Sequence, residues 1–417
     1  MIRPAIGTIA TRTVITALNL LVVVAAGNKL GASGIGAISL LVLGITFILL
    51  LNNVVGGGGL VYLAPRHATG ALRWPAYAWA LLVAVVAWFA LHRFPLVPEG
   101  LAAHAVALAL LQSFCSIHLG LLLGRERIAV HNLLLVLQAA ILLVFFVLLL
   151  NDGAGTLLDY VYAAYIAHGA TAILTGIASL DRARRGTSPV HPVIELFRQG
   201  SLAQAANGLQ LLNYRLAYYL VERFVGTAAL GLYAVTTQLA ESAWLAPKSL
   251  GMVLYARVSN TPEADRQRDL TLTVLKAAVG IALITVLALL VVPDALYRTV
   301  FGPSITGVAP LVLLLAPGLI AMSASQAISH YLSGSGRVHH NTIGSGLGLI
   351  VTVALGFSLI PDHGLRGAAI TASAAYTTAL VYQLIIFQRL TRARLVNYLP
   401  DANDVERLRT IWRRIAG

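Results

Sequence analysis

Long apolar runs separated by short polar gaps dominate the chain, and the spacing of those gaps predicts its elements. Segments near 10–29, 35–63, 74–94, 101–123, 130–150, 158–179, 200–222, 228–256, 271–292, 306–333, 341–360 and 365–388 are each long enough to cross a bilayer, whose hydrocarbon core of about 30 Å needs roughly 20 apolar residues per helix. Runs such as Leu133 to Leu150 lack the alternation of barrel strands, so helices are the only spanning structure that satisfies the backbone internally. The pattern therefore predicts an all-α polytopic protein of about twelve spans.

Charge supplies the orientation. About 22 of the 29 Lys and Arg fall in alternate gaps and at the two ends, whereas Lys29, Arg93, Arg223, Arg298 and Arg366 occupy the opposite side. By the positive-inside rule both termini are cytoplasmic. The 417 residues are 58% hydrophobic and 11% charged, with mean hydropathy +0.81, which excludes a soluble globular class. The net charge of +13 is assigned to cytoplasmic loops facing an anionic leaflet, and nucleic acid is not an expected partner. A cleaved signal is disfavoured by the weakly basic start, Arg3 and Arg12. The single cysteine, Cys115, lies inside a span and precludes an intrachain disulfide.

The gap from Asp181 to Gly200, with Arg182, Arg184, Arg185, Pro189 and Pro192, divides the chain near its middle. It separates an N-terminal six-helix lobe, 1–190, from a C-terminal one, 191–390, with a basic amphipathic cytoplasmic tail at 391–417. In that tail Val405, Leu408, Trp412 and Ile415 recur at helical spacing among arginines, as in a helix lying on the membrane surface. The lobes echo each other. Gly31-x4-Gly36 recurs as Gly226-x4-Gly231, and His118-x5-Gly124-Arg125 as His330-x5-Gly336-Arg337, a duplication of the kind transporters use to build a central site.

Arg215 and Lys248 interrupt apolar segments, where a charge is costly and marks a functional site by default. Segment seven places Gln204, Asn207, Arg215, Tyr218 and Glu222 within one stripe, beside Leu211 and Tyr214; segment eight repeats this with Tyr233, Thr237, Glu241, Trp244 and Lys248. These faces are expected to wall a wet cavity, the plainer reading being polar glue between helices. An uncompensated guanidinium there suits phosphate, and the aromatic residues suit sugars or a lipid stem. Arg12 lies on a smaller stripe with Thr16 and Asn19; it is either a counterpart wall or, more simply, a cytoplasmic anchor. Glu241 and Asp159 are candidate ion-coupling carboxylates. His118 and His330 are candidate proton relays, with helix-end hydrogen bonding as the plainer role. Gly56 to Gly59 lacks the Lys-Ser/Thr of a nucleotide loop and reads as close packing or a hinge. Neither a metal-ligand spacing, a nucleotide motif nor an outward acidic motif occurs, so vectorial movement is favoured over catalysis, with no cofactor beyond a proton or sodium gradient.

The stretch Asn213-Tyr-Arg-Leu-Ala, Val225-Gly-Thr-Ala-Ala-Leu-Gly-Leu-Tyr233, Leu239-Ala-Glu241 and Trp244-Leu-Ala-Pro247 resembles spans seven and eight of polysaccharide or O-antigen-type lipid-linked oligosaccharide flippases. So do Phe301-Gly302, Leu315-Ala-Pro317-Gly318, Tyr331-Leu-Ser-Gly-Ser-Gly336-Arg and Leu359-Ile-Pro361-Asp-His-Gly364-Leu-Arg-Gly367. The resemblance implies two lobes in a V-shaped, alternating-access transporter of the bacterial inner membrane. It further implies an undecaprenyl-diphosphate-linked glycan as substrate, moved to the periplasmic leaflet, and association with polysaccharide-assembly proteins. Ala217 stands where that family often has an acid, which weakens coupling through that position. A multidrug or small-molecule antiporter and a lipid II-type flippase are the alternatives on the same scaffold. A membrane glycosyltransferase would need the missing acidic motif.

Overall fold

In hydrocarbon each backbone N–H must find its carbonyl within the same helix, and the chain answers with helices throughout. The computed structural model describes residues 2–152, 155–180, 192–399 and 401. In chain order the helices are α1 (Ile2–Gly56), α2 (Gly58–Leu63), α3 (Thr69–Arg93), α4 (Ala102–Gly124), α5 (Ile128–Asp152), α6 (Leu157–Ala178), α7 (Pro192–Phe224), α8 (Thr227–Glu241), α9 (Leu245–Ser259), α10 (Ala264–Val291), α11 (Asp294–Phe301), α12 (Val308–Gly334) and α13 (His339–Thr391). Among the described residues no strand occurs. The amphipathic tail and most of the Asp181 to Gly200 link lie outside the described residues.

Among the described residues eight helices are long and apolar enough to cross a membrane, and two of these are double. α1 breaks at Gly31 and α13 at Gly364, each in a non-helical conformation. α7 is less apolar than these because its middle carries Gln204, Asn207, Gln210, Asn213 and Arg215. The eighth segment falls short because it is split into α8 and α9, 15 residues each. With the arms of α1 and α13 taken separately, the twelve expected segments are all present, and the chain is an all-α polytopic membrane protein. The glycine run does break the second segment: Gly57 leaves the helical region between α1 and α2.

Two compact units result. The first holds residues 3–208 with Val300–Ser304; the second holds Leu209–Thr299 and the chain from Ile305. The division falls inside α7, after the link that marks mid-chain in the sequence. The first unit packs Leu60, Leu63, Leu72, Ala76, Ala80, Ile117 and Leu121 in one cluster. The second packs α9, α10 and α12 through Leu254, Val258, Leu275, Ile328 and Leu332. Small residues such as Ala76 and Ala80 let helix backbones approach, which is how membrane helices gain packing energy without a hydrophobic driving force between them.

The units share internal geometry. After α4 the Arg127 N–H bonds to the Leu122 carbonyl at 2.9 Å, and after α12 Arg337 bonds to Leu332 at 2.7 Å, with Glu126 and Gly336 in the left-handed conformation. His131 then donates to the Leu119 carbonyl at 3.2 Å, as Asn341 does to Ser329 at 3.0 Å. All five residue pairs share one offset, 210 residues, so Gly124 corresponds to Gly334. The His118/His330 alignment read from the sequence is thereby corrected by two positions, because the helix-ending turns, and not the histidines, set the register.

Gly31 and Gly226 do correspond as read: both open the second arm of a helical pair with positive φ, 70° and 108°. A side chain at Gly226 would meet no atom within 4 Å, so Gly226→Ala tests the backbone alone. It is expected to cost about 1–2 kcal/mol and to lower Tm in detergent. Gly280→Ala, equally open but helical inside α10, should leave Tm unchanged or raise it.

Candidate functional site

The second unit gathers the polar residues of α7 and α8 around one guanidinium. Arg215 and Tyr218, three apart on α7, face Tyr233, Thr237 and Glu241, four apart on α8. The Arg215 Nη1 donates to the Tyr218 hydroxyl at 2.8 Å and Nη2 to Glu241 Oε2 at 3.0 Å. The Tyr218 and Thr237 hydroxyls lie 2.7 Å apart, and Thr237 donates to the Tyr233 carbonyl at 2.8 Å. One consistent set of protons follows: Arg215 to Tyr218, Tyr218 to Thr237, Thr237 to the backbone. The guanidinium also lies 5.0 Å from the Tyr218 ring centroid, within cation–π range. Tyr218 and Tyr233 meet edge to face at 5.6 Å.

A second aromatic layer adjoins the pair. Tyr214, Trp244 and Tyr376 form a triangle with centroid separations of 5.8, 5.6 and 5.8 Å. Gln210 donates to the Tyr214 hydroxyl at 3.0 Å, while the buried Trp244 Nε1 has no hydrogen-bond partner among the described residues. Tyr376 comes from α13, and no local pattern in the sequence signals it. The expectation of an uncompensated arginine is corrected: Glu241 neutralises it. Both side chains remain 27% exposed, and the two bonds engage only part of a group with five N–H donors.

Lys248 does not join this cluster. A 3-10 turn at Ser242–Trp244 separates α8 from α9, and the tighter winding turns the later face by about 60° over three residues. The cause is Pro247, which lacks an N–H for the Ala243 carbonyl and is tolerated only in the first turn of α9. The continuous stripe through Lys248 is thus broken, and Lys248 is exposed. His330 of α12 packs its ring where Gly251 of α9 leaves room.

The remaining sequence candidates have local partners. Asn207, in the first unit, donates to Gln204 at 3.3 Å. Asp159 caps α6 by accepting the Thr156 N–H at 2.6 Å. His118 bridges the Tyr77 hydroxyl and Thr175 between α3, α4 and α6. Arg12 is exposed, and its carbonyl accepts from Thr16 at 2.9 Å within α1.

A cavity of about 340 Å³ lies within the first unit, lined by polar residues of α1, α4 and α5 that include Asn53, Gln112, Ser116, His131 and Gln138. Sequence reasoning passed over it. The available signal was weak: polar residues at spacings of four in α4 and seven in α5 share a helical face, but none is charged.

No family model matches the sequence. An uncharacterized membrane protein of Methanocaldococcus jannaschii is 27% identical over 156 residues, 36% of this chain, and the match spans only 30% of that relative's length. Among solved structures, an inward-facing multidrug resistance MATE family transporter of the MOP superfamily superposes with a TM-score of 0.74 at 16% identity, covering 93% of this chain and 99% of that one. The lipid II flippase MurJ gives 0.71 at 12% identity over 100% and 98%. A MOP superfamily transporter from Pyrococcus furiosus, described as having a binding pocket of reverse polarity, gives 0.62 at 16% over 94% and 96%. The chain therefore shares the fold of these MATE family transporters and of the lipid II flippase MurJ.

Proposed function

We propose that the chain is a flippase that carries an undecaprenyl-diphosphate-linked oligosaccharide from the cytoplasmic to the periplasmic leaflet of the bacterial inner membrane, both termini being cytoplasmic. The observation that carries the reading is Arg215: an intramembrane guanidinium, partly open, set among Tyr218, Tyr233 and Trp244. Its uncommitted N–H groups suit a diphosphate, to which arginine bonds bidentately; Tyr218 and Tyr233 are buried and back the guanidinium, while the partly exposed Trp244 suits the lipid stem or a sugar ring. Lys248 supplies a second cation on α9, and Asn207 and Arg12 are retained as substrate contacts. The two six-helix halves would exchange access by alternating openings, as in the transporters that share the fold.

Glu241 gives the site its switch. Substrate diphosphate competes with Glu241 for Arg215, so a cation that takes the place of the guanidinium on Glu241 can be coupled to loading through this one pair. Polysaccharide-assembly proteins are the expected partners on the periplasmic side.

The antiporter reading draws on the MATE neighbours, and transport decides between the two. In proteoliposomes holding a fluorescent undecaprenyl-diphosphate glycan, the protein is expected to move the lipid-linked glycan, and Arg215→Gln and Lys248→Gln to slow it by roughly tenfold or more, the equivalent of about 1.4 kcal/mol or more. Efflux of a cationic drug without movement of the glycan would overturn the proposal.

A further inference from the structure

We propose that the cavity of the first unit is a binding site for a neutral polyhydroxylated ligand, a mono- or disaccharide unit. Its volume of about 340 Å³ falls in the lower part of the range for small-molecule sites. None of its lining residues is an Asp, Glu, Lys or Arg. The polar groups are amides, one hydroxyl, one thiol and one imidazole, and their hydrogen bonds define what is left for a ligand.

His131 donates through Nδ1 to the Leu119 carbonyl, which leaves Nε2 of the neutral ring as an acceptor. Gln138 donates through Nε2 to His168, which turns its carbonyl oxygen to the acceptor role. Ser116 donates to the Asn53 carbonyl oxygen at 3.2 Å, and the Asn53 amino group is left to donate. Gln112 has no hydrogen-bond partner among the described residues. Two acceptors and two amide donors thus converge in one space, beside the apolar Leu49, Val61 and Leu135.

That combination selects by exclusion. An apolar guest would leave four amide or imidazole groups desolvated and unpaired, which costs free energy at each. A guest of fixed charge would find no opposite charge among the residues that line the pocket. Vicinal hydroxyls both donate and accept, and the carbons between them meet the apolar wall. The site deepens the glycan reading by giving the sugar a seat in the first unit, apart from the Arg215 cluster, and only the identity of its ligand as part of a carried glycan rests on that reading.

Cys115, the chain's only cysteine, lines the cavity and makes the test clean. In a Cys115→Ala background, Gln112→Cys is labelled with a small methanethiosulfonate in the full-length protein in nanodiscs. Methyl glucoside, galactose or N-acetylglucosamine should slow labelling roughly tenfold when about nine-tenths of sites are occupied, while glucuronate and tetraphenylphosphonium should not. Ser116→Cys provides the same reading if Gln112→Cys does not fold, and Leu180→Cys, exposed on the surface, controls for solvent effects. Protection by the cation and not by sugars, or no protection by any probe while labelling proceeds, overturns the proposal. Protection by sugars in a protein that moves no lipid-linked glycan would leave the sugar site standing and remove the flippase reading.

Discussion

Arg215→Ala is expected to lower both stability and transport, whereas Glu241→Gln should separate the two. Removing the guanidinium leaves Glu241 with no cation at 3.0 Å, in surroundings of Tyr218, Tyr214 and Tyr233 and Tyr376 of α13. Breaking a buried pair costs about 3–5 kcal/mol and an exposed one under about 1. At 27% exposure on both sides a cost of about 2 kcal/mol is expected, read as a lower Tm. Glu241→Gln keeps an oxygen for the Arg215 N–H while removing the competing charge. Its Tm should fall less, and its affinity for a diphosphate headgroup should rise, measured by binding of undecaprenyl diphosphate in nanodiscs. The double variant Arg215→Gln/Glu241→Gln should regain stability relative to Arg215→Ala and still fail to transport. Full transport by the double variant would show that the pair is structural only.

Much of this was legible in the chain. The bilayer imposes a length and an apolarity on every spanning helix, so the twelve segments stand out without any knowledge of packing. The hairpin glycine Gly226 was legible too, and it brings α8 back along α7 so that Glu241 reaches Arg215. The ion pair itself was missed because the two residues are not equidistant from the turn, and helix crossing decides which neighbours meet. Tyr376 was illegible for a plainer reason: it arrives from α13, and no short-range spacing encodes that contact. The break before Lys248 could have been found from Pro247, whose missing N–H ends a helix at the residues before it. The neutral cavity was obscured by the same rule that revealed Arg215. Charges in membrane spans announce themselves, while Asn, Gln and Ser are common enough there to pass as glue.

Gly302→Ala is expected to destabilise the first unit strongly, because a strained backbone conformation and a backbone clash coincide at one position. Gly302 has φ +100°, and an added Cβ would overlap the Gly27 carbonyl and approach the Asn28 nitrogen to 3.2 Å. The contact is reciprocal, since a Cβ at Gly27 would strike the Phe301 carbonyl. Backbone opposes backbone on both sides, so no side chain can swing away. The segment is also fastened there: Asn28 donates to the Val300 carbonyl at 2.7 Å, and the Ala32 N–H to Ser304 Oγ at 2.9 Å. That last bond caps the second arm of α1, whose first N–H groups lose their intrahelical carbonyls at the Gly31 break. Left-handed strain of about 1–2 kcal/mol and overpacking of about 1–3 kcal/mol act together. The expected sum of roughly 3 kcal/mol should appear as a lower Tm and a smaller monodisperse fraction in detergent. Ser304→Ala, which removes only the cap, should cost about 1 kcal/mol. A Gly302→Ala protein as stable as Ser304→Ala would show that the Val300–Ser304 segment moves off α1 at little cost, and that the close approach at Gly27 does not hold the first unit together.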